Sequence, residues 1–183
     1  MEDGKQFRIG MAALALALTI AVCLGGLKAY KEFGVKRPLK NSILQVEGIK
    51  DVSVIEEGGV QQITLTLEDT GDLKGIYQRV DRQAAKKLGG TPYEIKVVDD
   101  PSPELIDLYN YLELGIHQGI ADSSFIWLTD WLERTTADRN VEYHLQVDDK
   151  NLYFTLSRNG HYIARIIKRA APPLRSERSD ASA

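Results

Sequence analysis

The sequence predicts an α+β protein in which one N-terminal transmembrane helix precedes a soluble part, made of an αββαβ module and a module of two helices with a three-stranded antiparallel sheet. Three observations carry that expectation. Residues Ile9 to Leu27 hold no charge and a single polar side chain, Thr19. Beyond residue 37 the apolar residues recur at spacings of three and four in some stretches and of two in others, the periods of helix and strand. Gly58-Gly59 and Asn159-Gly160 stand between alternating stretches, where a hairpin needs residues that tolerate positive φ.

A short tail, residues 1–8, leads into the apolar segment 9–27. Its nineteen residues would rise about 28 Å as a helix, close to the hydrocarbon thickness of a bilayer. A buried helix of a soluble domain would show a polar face, and this segment shows none. Cleavage as an export signal needs small residues at set positions, and no clean Ala-x-Ala precedes a mature start. Ile20-Ala21-Val22-Cys23 resembles a bacterial lipobox, from which Val22 departs because that pattern places Gly, Ala or Ser before the cysteine. Ala13, Ala17, Ala21 and Gly25 recur every four residues, a stripe that lets membrane helices approach closely. Lys5 and Arg8 precede the segment, while Lys28, Lys31, Lys36, Arg37 and Lys40 follow it. That excess of positive charge predicts a cytoplasmic soluble part; the opposite orientation is that of an uncleaved signal anchor or lipoprotein.

The basic connector, residues 28–37, is expected to contact headgroups, and Gly34 and Pro38 to interrupt any continuation of the membrane helix. A short helix then starts near Pro38, carries Leu39, Ile43 or Leu44, and Val46, and stops at Gly48. Val52 and Val54, then Ile63, Leu65 and Leu67, alternate on either side of Glu57-Gly58-Gly59 and form a hairpin. Leu73, Ile76, Tyr77, Val80, Ala84 and Leu88 keep helical spacing up to Gly89-Gly90. Tyr93, Ile95 and Val97 give a third strand. Residues 38–98 thus form a small sandwich with one sheet face against helices. This order resembles the ring-building modules of bacterial membrane assemblies and the membrane-associated domains of the alkaline-shock-protein type, a likeness of element order that implies a fold and no activity. Heavy-metal-transport modules share the layout but need a paired-cysteine loop, and the chain has one cysteine, Cys23.

The second module spans residues 99–170. Ser102 caps a helix with Pro103 in its first turn and Glu104 beside its positive end, burying Leu105, Leu108, Tyr109, Leu112 and Ile116. A further helix, from about Ser123 to Arg134, carries Phe125, Leu128 and Leu132, with Ile126, Trp127 and Trp131 widening its apolar face and implying burial on more than one side. Val141, Tyr143, Leu145 and Val147 alternate with polar neighbours, as do Leu152, Phe154 and Leu156; His161 to Arg169 completes the meander. The tail, residues 171–183, is proline-rich and then small and polar, and is expected to be mobile.

Net charge is −3, but Asp99 to Asp149 holds twelve acidic side chains against Arg134 and Arg139, whereas Lys150 to Arg178 holds seven basic ones against Glu177. Stretches of opposite sign attract each other or different partners. No basic stripe carries interleaved aromatics, so nucleic acid is not an expected partner. The spacings of His117, His144 and His161 match no metal-ligand motif, and no cofactor or small-molecule substrate is expected. Asp99-Asp100 and Asp148-Asp149 are turn chemistry rather than acid-base pairs. The expected function is therefore a single-pass, membrane-tethered, non-catalytic interaction or assembly module, with the bilayer and a protein or a second copy as partners. The alternative is a membrane-anchored hydrolase whose active site draws on acidic residues such as Asp130 and Glu133.

Overall fold

The computed structural model describes residues 36–68 and 71–169, with single positions at 19, 26 and 34. These residues form an α+β structure with four helices and two three-stranded sheets. No helix among them is long and apolar enough to cross a membrane. Segment 9–27 apart from Thr19 and Gly26, and with it Ala13, Ala17, Ala21 and Gly25, lies outside the described residues. So do Lys28, Lys31 and the tail 171–183.

Helix α1 (Arg37–Leu44) buries Leu39 and Ile43 and leaves Leu44 on its outer side. Gly34 and Lys36 occupy π-type helical turns ahead of it, while the apolar segment whose continuation Gly34 and Pro38 were expected to interrupt lies, apart from Thr19 and Gly26, outside the described residues. A proline in the first turn gives up no intrahelical bond, and a widened turn leaves room for its ring. Strands β1 (Ile49–Glu57) and β2 (Val60–Leu67) pair antiparallel across Gly58-Gly59, whose φ values of +59° and +80° make the tight turn a hairpin of this length needs. Helix α2 (Leu73–Leu88) follows, with the Asp72 carboxylate accepting the Gly75 N–H at 3.0 Å and Gly89 ending it in the left-handed conformation. It buries Leu73, Ile76, Val80, Ala84 and Leu88. Strand β3 (Tyr93–Val98) returns parallel to β2, giving the order β1-β2-β3. A parallel neighbour requires a crossover, and α2 is that crossover.

Helix α3 (Pro103–Ala121) is capped by Ser102, whose hydroxyl accepts the Leu105 N–H at 3.4 Å, and buries Leu105, Leu108, Tyr109, Leu112 and Ile116. Helix α4 (Phe125–Thr136) packs against it through Leu128 and Leu132. Strands β4 (Glu142–Val147), β5 (Asn151–Arg158) and β6 (His161–Lys168) form an antiparallel meander in the order β4-β5-β6. The expected one-sided alternation fails at β5, which is buried on both faces. Leu152, Phe154 and Leu156 face α3 and α4, while Tyr153 joins the core formed by α1, α2 and the first sheet. On β6, Ile163 and Ala164 divide between the same two cores.

Polar groups stitch this junction. Tyr153 packs its ring on Tyr77 at 5.6 Å and donates its hydroxyl to Asp148 at 2.8 Å. The other carboxylate oxygen of Asp148 accepts the N–H groups of Lys150 and Asn151, the turn role expected for it, and Gln78 of α2 donates to Asp148 at 3.2 Å. Burial opposes the charge of Asp148, but these donors outweigh it and hold its pKa at about 2. Burial, together with the Asp148 carboxylate, pushes the Tyr153 hydroxyl up. Lys74 adds two bonds, from its N–H to Gln146 at 3.0 Å and from its ammonium to the Val147 carbonyl at 2.8 Å.

Asp99 departs from the turn role expected of it. Its carboxylate pairs with the Arg165 guanidinium and accepts the Ala164 N–H at 2.8 Å. Asp100 pairs with Tyr162 as an isolated antiparallel bridge. The Tyr162 hydroxyl accepts the Leu67 N–H at 3.3 Å and donates to the Val98 carbonyl at 2.9 Å. The segment between modules is thus held along β6.

A folded pKa near 2 against an ordinary 3.8 means that the ionised Asp148 contributes stability above about pH 3.8 and loses it as the pH falls through 2. Asp148→Asn is expected to lower unfolding free energy at pH 7 by about 1–2 kcal/mol, discounted for the solvent near the turn. Denaturant titrations from pH 7 to 2 check this. The wild-type advantage should shrink below pH 4, and an offset independent of pH would exclude ionisation as its source.

Candidate interaction surface

The helices of the second module are amphipathic, yet their apolar residues exceed what the core takes up. Leu128 and Leu132 of α4 are fully buried, whereas Ile126 is 83% exposed and Trp127 is 38% exposed. On α3, Tyr111 is 56% and Leu114 is 76% exposed. The expectation that α4 is buried on more than one side is therefore corrected among the described residues. The helix has one neighbouring helix and one sheet to pack on, and its opposite face has neither.

Tyr111, Trp127 and Trp131 form an ordered ridge. Trp127 and Trp131 stack at 5.9 Å with an interplanar angle of 14°, and Trp131 stacks on Tyr111 at 6.0 Å and 30°. Offset stacking of this kind contributes about 0.5–1.5 kcal/mol per pair beyond burial. Trp131 can cross onto α3 because Gly115 has no side chain there; a Cβ at that position would meet the indole ring. Gly119, one turn later, gives the same close passage to Leu128. The ridge was not anticipated from the sequence. Its signal was Gly115 and Gly119, four apart on the buried side of α3, a spacing that brings a neighbouring helix close.

Two exposed carboxylates stand within one turn of the ridge, Asp107 beside Tyr111 and Asp130 beside Trp127. Along the sequence from Pro103 to Thr136 the chain has six acidic residues, Glu104, Asp107, Glu113, Asp122, Asp130 and Glu133, against Arg134. Of these Glu113 accepts the Tyr109 hydroxyl at 3.3 Å, and β6 with the residue after it brings Arg165 over Tyr109 at 5.0 Å and Arg169 over Phe125 at 4.7 Å. Arg134 is turned onto its own helix, its Nε donating to the Asp130 carbonyl at 3.1 Å. Burial pushes the Tyr143 hydroxyl up, helped by the charges of Glu133 and Asp130.

The polar features make a poorer site. An open groove of about 460 Å³ is lined by Glu68, Glu142, Ser157, Arg158, His161 and Tyr162, among others. His161, opposite Arg158 as its turn requires, has Nδ1 3.6 Å from Asp100, beyond hydrogen-bond reach. His144, opposite Thr155, pairs instead with Glu142 at 3.2 Å, and His117 lies exposed on α3. The three histidines are thus not brought together. Among the described residues no cluster of His, Cys, Asp or Glu could hold a metal ion. Asp130 and Glu133 are exposed on α4, and the Asp148 carboxylate is occupied at the module junction. Of the connector bases, Lys40 faces Asp51 at 3.5 Å, Lys36 is half-buried and Arg37 is exposed.

No protein-family model matches the chain, and no curated protein sequence is similar to it.

Gly115→Ala should displace Trp131 and destabilise the fold by about 1–3 kcal/mol, the range for overpacking a filled site. Equilibrium unfolding followed by tryptophan emission checks this. Unchanged stability together with unchanged emission would show that the ring has room to spare.

Proposed function

We propose that the protein is a single-pass, membrane-tethered, non-catalytic interaction or assembly module whose soluble part lies in the cytoplasm. One observation carries this reading: the stacked ridge of Tyr111, Trp131 and Trp127, flanked by exposed Leu114 and Ile126. Exposed large apolar side chains on two neighbouring helices mark interaction sites, and aromatic residues dominate binding energy where such sites are used. The apolar segment 9–27 supplies the tether, Ala13, Ala17, Ala21 and Gly25 a face for pairing within the bilayer, and Lys28, Lys31, Lys36, Arg37 and Lys40 the orientation. Partners are the bilayer and a protein or a second copy.

The test uses the full chain in native membranes, with a photo-crosslinking residue at Leu114 and a control at exposed Ser53 on the open face of the first sheet. Alkaline carbonate should leave the protein in the membrane pellet, and protease outside intact cells should spare the soluble part. Crosslinks to a discrete protein or a second copy should form from position 114 and not from position 53. Extraction by carbonate would remove the tether, and no crosslink from position 114 would remove the interaction surface.

A further inference from the structure

The charge around the ridge restricts what can cover it. A second copy docked face to face would bring Asp107 and Asp130 of both copies into one contact, since a two-fold contact brings the same patch to both sides. An anionic bilayer surface would meet the same repulsion. Position points the same way. The chain enters its described part through α1, which packs on β1 and α2, whereas α3 and α4 cover the opposite face of the β4-β5-β6 sheet. The ridge lies on the far side of that sheet from the point of entry.

Helices α3 and α4 are joined by residues 122–124 alone, and Tyr111 of α3 stacks on Trp131 of α4, with exposed Leu114 one turn from Tyr111 and exposed Ile126 next to Trp127 in the chain. A third helix can complete such a pair by laying an apolar stripe on the exposed rings. We infer that the α3–α4 face binds an amphipathic helix of another protein, one with an apolar stripe against Tyr111, Leu114, Ile126 and Trp127 and with Lys or Arg at its flanks. The rim it meets contains Asp107 and Asp130, each within one turn of a ridge residue and each exposed. This assignment rests on the interaction-module reading and narrows it to one class of occupant.

Trp127 and Trp131 are the only tryptophans of the chain, so its indole emission reports on this face. Full-length protein in non-ionic detergent is titrated with a synthetic peptide of about 18 residues, Leu and Lys placed at helical spacing to make one apolar stripe, about five turns. Acrylamide quenching of the indoles should fall as the peptide binds. Leu114→Ala with Ile126→Ala should weaken binding about tenfold, as loss of exposed anchors does. Asp107→Asn with Asp130→Asn should weaken it as well and flatten its salt dependence. All four side chains are exposed, and far-UV circular dichroism checks that the variants fold. Equal binding of a scrambled Leu/Lys peptide, or of an amphipathic Leu/Glu peptide, would overturn the assignment. So would shielding without peptide that grows with protein concentration, that vanishes on deleting residues 170–183, or that arises on reconstitution into phosphatidylcholine–phosphatidylglycerol vesicles. Those outcomes assign the face to a second copy, to the chain's own tail or to the bilayer. The membrane crosslink from position 114 stands or falls separately, so loss of the peptide result alone removes the occupant and leaves the interaction surface.

Discussion

Tyr153 lies where two cores meet, and the way the modules sit together depends on how its two ends are satisfied. Strand β5 is central in its sheet and covered on both sides, so each of its residues must be apolar or fully bonded. The tyrosine ring meets the first demand by packing on Tyr77, and its hydroxyl meets the second by donating to Asp148. Burial of a side chain this size contributes roughly 1.5–3 kcal/mol, and a buried hydroxyl without a partner costs about as much. The bond to Asp148 therefore decides whether the contact is favourable. Asp148 is in turn fixed by the turn that joins β4 to β5 and by Gln78 of α2, so one carboxylate sets strand register and the position of the crossover helix together.

Arg165 poses the converse problem. It shares a face of β6 with Ile163 and Ile167, both packed into the α3–α4 core, so strand geometry sends a permanent charge toward apolar neighbours. Three contacts make that tolerable: the guanidinium lies over the Tyr109 ring at 5.0 Å, pairs with Asp99 and donates to the Ala164 carbonyl at 3.0 Å. The Asp99 carboxylate also accepts the Ala164 N–H, so the pair holds the inter-module segment to β6. A residue that looks like a turn former thus acts through a partner 66 positions away.

Most elements were legible because their determinants are local. Gly58-Gly59 sets its hairpin, Ser102-Pro103 opens α3, and the three-and-four spacing from Leu73 to Leu88 fixes both the length and the buried face of α2. What sequence could not show was which second surface each element would meet. The alternation in β5 described one buried face correctly and was silent on the other, because Tyr153 and Thr155 look like ordinary solvent-side strand residues until a helix is placed above them. The apolar girth of α4 led to the opposite error: it implied a second neighbour, and the described residues place none over Ile126. The ridge itself needed a contact between helices, Trp131 over Gly115, that no single helical period contains.

That unmet apolar face has a thermodynamic meaning. Leaving Leu114 and Ile126 in water forgoes roughly 1.5–3 kcal/mol for each, although a polar residue at either site would have kept the helix and lost nothing in the core. The aromatic rings of the same two helices are nonetheless held in register by stacking and by the glycine-permitted crossing of α4 on α3. Rigid exposed aromatics lose little conformational freedom on binding, which raises the fraction of their burial energy available to a complex. Under the proposed assignment Asp107 and Asp130 would act as a filter: they would disfavour association of the ridge with its own image and with an anionic surface, and favour a cationic approach. On that proposal the same two side chains that protect the face when it is empty select what fills it.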